Sequence, residues 1–194
     1  MKTVLITGSS GSIGRNLCEA VIKNGYKVIP TDICKNSKVI EYNFIEVDLL
    51  DIVENEIKMK LFRERVKEAL GKDQLYAIIN NAAFQINKKF ETLTLQDWKK
   101  SMNINFFAPL ALSKLFLDEL ETSNGTIINI SSIHSSLTKK GFSAYATSKA
   151  ALSGLTKSMA VELGSRIRIN AIEPAAIETE MLKQGFKDSP NNIE

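Results

Sequence analysis

A tyrosine and a lysine lie four residues apart in the stretch SAYATSKAAL, residues 143–152. If this stretch is helical, Tyr145 and Lys149 share one face and are neighbours. A free tyrosine titrates near pH ~10, and a fixed positive charge nearby favours the phenolate and lowers the pKa. The pair therefore predicts a proton-transfer catalyst that works near neutral pH. The alternative is a chance pair on a helix, because both residue types are common.

Further polar side chains follow the short apolar runs of the sequence, where strands would end. Ser132 closes the run IINISS, 13 residues before Tyr145. A serine hydroxyl at such a position can donate a hydrogen bond to a substrate oxygen. In a doubly wound sheet, ligands bind at the carboxyl ends of the strands. The residues at these predicted ends, which we expect to border one cleft, are Gly8, Asp32, Asp48, Asn81 and Ser132.

A glycine-rich turn, TGSSGSIG at residues 7–14, joins the first apolar run to a helix-like segment. Glycine permits a positive φ and lets a phosphate approach backbone N–H groups. The amino end of the following helix adds donors and a positive dipole. The turn therefore predicts a pyrophosphate cradle, and the alternative is a tight turn with no ligand. Its predicted cofactor contacts are Gly8, Ser10, Gly11, Ser12, Ile13 and Gly14.

Two carboxylates after the turn bear on which dinucleotide would bind. Asp32 ends the second run, and its carboxylate can accept hydrogen bonds from both adenosine ribose hydroxyls while repelling a 2′-phosphate. The turn contains no arginine, and Arg15 is predicted to point along the helix. These residues predict NAD, with NADP less favoured. Asp48 ends the third run, and with Leu49 it is predicted to reach the adenine edge.

The segment TLQDWKKSMNINFFAPLALSKLFLDEL predicts one long helix that contains Asn105 and Pro109. Proline has no N–H, so the carbonyl of Asn105 loses its helical partner and must find another donor. A water held there near Lys149 would extend a proton path. The alternative is that Pro109 merely kinks the helix.

The elements that must position these groups alternate along the chain. Apolar, β-branched runs recur as TVLIT, KVIPT, FIEVD, YAIIN, GTIINIS and IRINAIEP, mostly separated by helix-like segments. This alternation predicts an α/β fold, a Rossmann-type doubly wound parallel sheet with helices on both faces. We expect one dinucleotide-binding domain over residues 1–194.

Composition narrows the function classes. The 194 residues carry a net charge of +3, and their basic pairs are scattered, which argues against nucleic-acid binding. No run approaches the ~20 apolar residues of a membrane helix, and the amino terminus shows no signal-peptide pattern. Cys18 and Cys34 show no metal-binding or redox spacing, so we expect free thiols, no metal site and a cytoplasmic location.

Taken in order, five motifs resemble the short-chain dehydrogenase/reductase family. They are TGSSGSIG, NNAA at 80–83, NISS at 129–132, YATSK at 145–149 and RINAIEPAAIET at 168–179, and the resemblance spans residues 2–181. It implies that Tyr145 is the acid/base, that Ser132 orients the substrate oxygen and that Asn105 holds a relay water. It also implies that Lys149 binds the nicotinamide ribose and lowers the pKa of Tyr145. The further cofactor contacts it implies are Asn81, Ala82, Ala83, Pro174, Ile177 and Thr179.

The chain departs from the family pattern at three positions. Ser12 stands where the family has glycine, with Gly11 one place early, and Ala83 and Ala175 replace two further glycines. The glycine spacing and the paired alanines resemble the longer sugar-nucleotide branch, whereas the serine–tyrosine spacing and RINAIEP favour the shorter oxidoreductase branch. Relatives usually continue to a seventh strand and a final helix. We therefore expect a missing C-terminal strand in a truncated or reduced chain, and a mobile tail or lid over about 182–194.

These features predict an oxidoreductase that transfers hydride between NAD and a small-molecule secondary alcohol or ketone. Its predicted substrate contacts are Gln85, Ser132, His134, Phe142 and Tyr145. When full length, it would be a homodimer or homotetramer. The alternatives are a nucleotide-sugar epimerase or dehydratase that retains NAD, and a non-catalytic NAD-sensing module.

Overall fold

A computed structural model describes residues 1–34 and 43–175 of the chain. Within this part, parallel strands form one sheet in the order β3-β2-β1-β4-β5-β6, which confirms the predicted doubly wound α/β fold. The strands are β1 (Lys2–Thr7), β2 (Lys27–Asp32), β3 (Ile45–Glu46), β4 (Gln74–Asn80), β5 (Thr126–Ile130) and β6 (Arg168–Ile172). The tail predicted for residues 182–194 lies outside the described residues.

Helices cover both faces of the sheet, as the alternation predicts. They are α1 (Ser12–Lys23), α2 (Leu49–Glu54), α3 (Glu56–Leu70), α4 (Leu95–Met102), α5 (Ala108–Leu115), α6 (Leu117–Thr122) and α7 (Ser143–Leu163). Successive strand residues point to opposite faces. Leu5 therefore packs with residues of α3 and α5 in one core cluster, while Ile6 packs with Cys18 of α1 in the other.

The predicted single long helix after β4 is wrong, because the segment forms three helices. It opens as expected, with Thr94 and Asp97 in a reciprocal capping box. After α4, a π-helical turn at Asn103–Phe107 follows, in which the Ala108 N–H reaches back to the Asn103 carbonyl. Pro109 lies in the first turn of α5, and Phe116 separates α5 from α6. Because Pro109 has no N–H, a regular helix would lose a hydrogen bond here, and the wider turn accommodates that loss.

Candidate active site

The carboxyl ends of the strands border one cleft of about 800 Å³. Its walls come from the glycine turn, the ends of β2, β4 and β5, the start of α7 and the segment after β6. Every predicted site residue that the structure describes lines this cleft, except Asn105. Ile177 and Thr179 lie outside the described residues. Topology therefore brings together side chains that are far apart in the sequence.

The glycine turn is packed so tightly that side chains do not fit at two of its positions. Gly8 has a φ of +65°, and a Cβ there would lie 2.7 Å from the Ala82 Cα. A Cβ at Gly14 would lie 2.7 Å from the Ser9 Cα. No side chain caps the start of α1, where Gly11 is the N-cap residue. The first N–H groups of α1 therefore remain available to an anion, which fits the predicted pyrophosphate cradle.

Replacing Gly14 by alanine is expected to lower the free energy of unfolding by about 2 kcal/mol, because the new methyl group has no space. The matched control is Gly154→Ala in α7, where a Cβ meets no atom within 4 Å. That change is expected to stabilise the protein by about 0.5–1 kcal/mol through helix propensity. Chemical denaturation measures both values, and equal effects of the two substitutions would contradict the packing described here.

The Asp32 carboxylate lies at the rim of the cleft, as predicted, where it accepts hydrogen bonds from the backbone N–H groups of Ser10 (2.8 Å) and Ile33 (2.7 Å). The predicted direction of Arg15 is wrong. Its guanidinium folds back to donate to the Ser10 carbonyl at 2.6 Å, and it lines the cleft. A carboxylate and a cation therefore both border the predicted adenosine end. Asp48 also lines the cleft, and it caps α2 through the Leu50 N–H at 2.9 Å.

Ser132, Tyr145 and Lys149 converge at the other end of the cleft, and all three are buried. The Ser132 side chain lies within hydrogen-bonding reach of the Tyr145 phenol. The Lys149 ammonium donates to the Ile130 carbonyl at 2.7 Å, and its nitrogen lies 5.9 Å from the centroid of the Tyr145 ring. The arrangement can orient a substrate oxygen at Ser132 and exchange a proton at Tyr145.

The lowered pKa predicted for Tyr145 is wrong. Burial raises the pKa of Tyr145 above its ordinary value, and the hydrogen bond with Ser132 opposes this only in part. Burial also lowers the pKa of Lys149 to about 7. The reason is that both groups lie out of water, where burial disfavours each charged form. A sequence spacing shows that two groups are neighbours but not how deeply they are buried.

Backbone contacts with β6 and the residues after it fix the main chain on both sides of Ser132. The Ser131 N–H donates to the Ile172 carbonyl at 2.8 Å, and the Ile133 N–H donates to the Pro174 carbonyl at 3.0 Å. The Ser131 hydroxyl also donates to the Lys149 carbonyl at 3.1 Å. Ser132 and Lys149 are therefore held in one rigid frame.

The Asn105 side chain is fully buried and does not line the cleft. Its Oδ1 accepts from the Phe84 N–H at 2.7 Å, while its Nδ2 donates to the Phe84 carbonyl (2.9 Å) and the Ser148 hydroxyl (2.8 Å). Asn105 thus ties the loop after β4 to α7. Its carbonyl belongs to the π-helical turn, so the relay water implied by the family resemblance stays a prediction.

An aromatic cluster borders the phenol. His134 stacks on Phe142 with ring centroids 4.6 Å apart, and both rings meet Tyr145 edge-on. Burial, together with the charge of Lys139, lowers the pKa of His134. His134, Phe142 and Gln85 all line the cleft, as predicted for substrate contacts.

Sequence reasoning missed several lining residues, among them Phe84, Lys100, Ile104 and Lys139. They lie on α4, the π-helical turn and the loops beside β4 and β5, and they belong to no motif. Within residues 1–34 and 43–175, no group of three or more metal-ligating side chains occurs. The helices of this part of the chain include none that is long and apolar enough to cross a membrane.

Known proteins are similar to this chain in both sequence and structure. A family model described as short chain dehydrogenase matches residues 2–190. The dehydrogenase/reductase SDR family member 6 of Aquarana catesbeiana is 32% identical over 197 residues, which cover 98% of this chain and 77% of that protein. The ligand-free aldohexose dehydrogenase of Thermoplasma acidophilum is 31% identical, with a TM-score of 0.88 over 98% of this chain and 72% of that one. A 4-hydroxyisoleucine dehydrogenase complexed with NADH is 30% identical, with a TM-score of 0.82 over 97% and 81%.

Proposed function

Because the chain belongs to the short-chain dehydrogenase family of NAD(P)-dependent oxidoreductases, we propose that it transfers hydride between NAD and a secondary alcohol or ketone, with Tyr145 as the acid/base. The observation that carries the proposal is the convergence of Ser132, Tyr145 and Lys149 in the cleft that the glycine turn also borders. We also propose that the substrate is a small molecule. The homodimer or homotetramer and the cytoplasmic location stay predictions.

The chain's own residues would bind the dinucleotide and handle the proton. When bound, the nicotinamide supplies or accepts the hydride. The N–H groups of the glycine turn and α1 would hold the pyrophosphate, and the Asp32 carboxylate would accept hydrogen bonds from the hydroxyls of the adenosine ribose. Ser132 donates to the substrate oxygen, and Tyr145 gives that oxygen a proton in reduction or takes one in oxidation.

The pKa directions give the two reaction directions different pH dependences. Because the pKa of Tyr145 is raised, the phenol is protonated at neutral pH and ready to act as an acid. Ketone reduction therefore needs no prior deprotonation, whereas alcohol oxidation needs the phenolate. We expect the rate of oxidation to rise from pH 7 to 9, while the rate of reduction is flat or falls over that range.

The proposed function is tested by incubating the protein with NAD and a panel of secondary alcohols. Aldoses belong in the panel because a 31% identical relative acts on aldohexoses. Net formation of NADH supports the proposal. The alternative is an epimerase or dehydratase, whose branch of the family has a similar glycine spacing. That alternative would be supported if the protein retained NAD tightly, formed no net NADH and converted a nucleotide-linked sugar. Tight NAD binding without turnover of any compound would support the sensing module.

The proposed preference for NAD has its own test. Asp32→Asn is expected to raise the Kd for NAD about 10- to 100-fold, because a charged acceptor of ribose hydroxyls is lost. NADP affinity should change far less or improve. The control is Asp51→Asn, since Asp51 pairs with Lys58 and does not line the cleft. Calorimetric titration with both dinucleotides measures the shift, and a wild-type preference for NADP would refute the role of Asp32.

A further inference from the structure

Two lysines line the catalytic end of the cleft, and each lies over an aromatic ring. The ammonium of Lys100, on α4, is 4.5 Å from the centroid of the Phe84 ring. The ammonium of Lys139, in the loop before α7, is 4.8 Å from the centroid of the Phe142 ring. A cation over a ring face is attracted by the ring quadrupole, which holds each ammonium near the wall of the cleft.

The segments that carry the two rings are held by contacts with neighbouring side chains. Phe84 is held at both its N–H and its carbonyl by the Asn105 side chain, and Phe142 packs edge-on against Tyr145. The loops that carry the rings are joined to each other, because the Lys88 N–H donates to the Gly141 carbonyl at 3.0 Å. Both lysines therefore project from one connected wall beside the proposed acid/base.

The described carboxylates that line the cleft lie at its other end. They are Asp32 and Asp48, which border the predicted adenosine side. Asp97, the one carboxylate of α4, already bonds to the Lys88 ammonium at 3.0 Å and closes the capping box at Thr94. The charged side chains that line the described part of the catalytic end are thus lysines, and two of them lie over aromatic rings.

We propose that the substrate carries an anionic group, a carboxylate or a phosphate ester, which Lys100 and Lys139 bind while the hydroxyl or carbonyl meets Ser132 and Tyr145. This inference rests on the proposed function, because it assigns a substrate class to the same site. An ammonium is a point charge without the fork geometry of arginine, so it accepts either anion. A carboxylate and a phosphate ester would both place a negative charge a few atoms from the substrate carbon that gives or receives the hydride.

The experiment compares hydroxy acids of three to six carbons with their methyl esters, and sugar phosphates with the free sugars, in the presence of NAD. For the wild type, kcat/KM for the anion is expected to exceed that for its neutral partner by about tenfold. Lys100→Gln should lower the anion's kcat/KM about threefold to tenfold and leave the neutral partner unchanged. The control is Lys99→Gln, because Lys99 is the adjacent exposed lysine and does not line the cleft. Whichever pair shows the larger difference identifies carboxylate or phosphate.

Equal turnover of anions and neutral partners, or a loss with Lys100→Gln that is the same for both, would overturn the inference and leave the proposed function intact. If no compound is turned over, the proposed function fails, and binding then decides the inference. The melting temperature of the protein–NADH complex is measured with the oxo acid that corresponds to each hydroxy acid, with each sugar phosphate, and with the neutral partner of each. A larger rise with an anion than with its neutral partner, removed by Lys100→Gln, supports the inference, and equal or absent rises with every pair overturn it.

Discussion

Replacing Tyr145 by phenylalanine is expected to lower kcat by about 10²- to 10⁴-fold, which is the usual contribution of a positioned acid/base. The ring is buried against Phe142 and His134, and phenylalanine keeps that packing while it removes the hydroxyl beside Ser132. The Kd for NADH should change less than about threefold, because the proposed role of the hydroxyl is in the reaction. Steady-state kinetics with the best substrate of the panel, together with NADH titration, measure both quantities.

The matched control is Tyr26→Phe. Tyr26 stacks on Tyr76 with centroids 5.7 Å apart and does not line the cleft, so its hydroxyl should have no effect on kcat. Near-normal turnover by Tyr145→Phe would remove the acid/base from the proposed mechanism. An equal fall of kcat in both variants would show a general effect of removing a tyrosine hydroxyl and not a chemical role of the Tyr145 hydroxyl.

Replacing Lys149 by methionine is expected to have the second largest effect, on both activity and stability. The kcat should fall about 10²-fold or more, because a buried donor beside the acid/base is lost. In the wild type, the pKa of Lys149 is about 7 in the folded state and lies near its ordinary value of about 10.5 when unfolded. Between these values the unfolded chain binds the additional proton, so stability rises with pH. From pH 7 to 9, the free energy of unfolding should increase by about 2 kcal/mol.

A second buried group, the Cys18 thiol, affects stability at higher pH. Burial raises the pKa of Cys18 to about 11, so the folded state keeps a thiol proton that the unfolded chain loses above pH 9. Above pH 9 this difference offsets the rise that Lys149 causes, so stability is expected to level off there, and denaturation is best compared at pH 7, 8 and 9. Lys149→Met should show no rise over this window, while the exposed control Lys99→Met should keep it. A rise of the same size in Lys149→Met would contradict the low pKa of Lys149.

The fold could be predicted from the sequence because its signals are local and repeated. Buried parallel strands need apolar residues on both faces, and the runs around Leu5, Ile78 and Ile127 show this directly. Parallel strands also bring their carboxyl ends to one edge, so Asp32 and Ser132 could be placed in the same cleft without any knowledge of loop geometry.

Other features depend on tertiary contacts that no spacing reveals. The π-helical turn arises where Pro109 removes a donor, but whether such a segment kinks, breaks or widens depends on its packing. Arg15 turns back because the Ser10 carbonyl is available to it. The pKa of Tyr145 is raised because the phenol is buried, and burial is a property of the whole fold. Lys100 belongs to no motif, and only the position of α4 brings it to the cleft.

The most direct test of the central claim follows one hydrogen atom. The protein is incubated with NADH carrying deuterium at the transferable C4 position and with the panel of ketones, and the products are examined by mass spectrometry. Hydride transfer in this cleft predicts deuterium at the carbinol carbon of a secondary alcohol in the wild type, and little or none with Tyr145→Phe. Deuterium that stays on the dinucleotide with every ketone, or that appears in water, would contradict hydride transfer in this cleft.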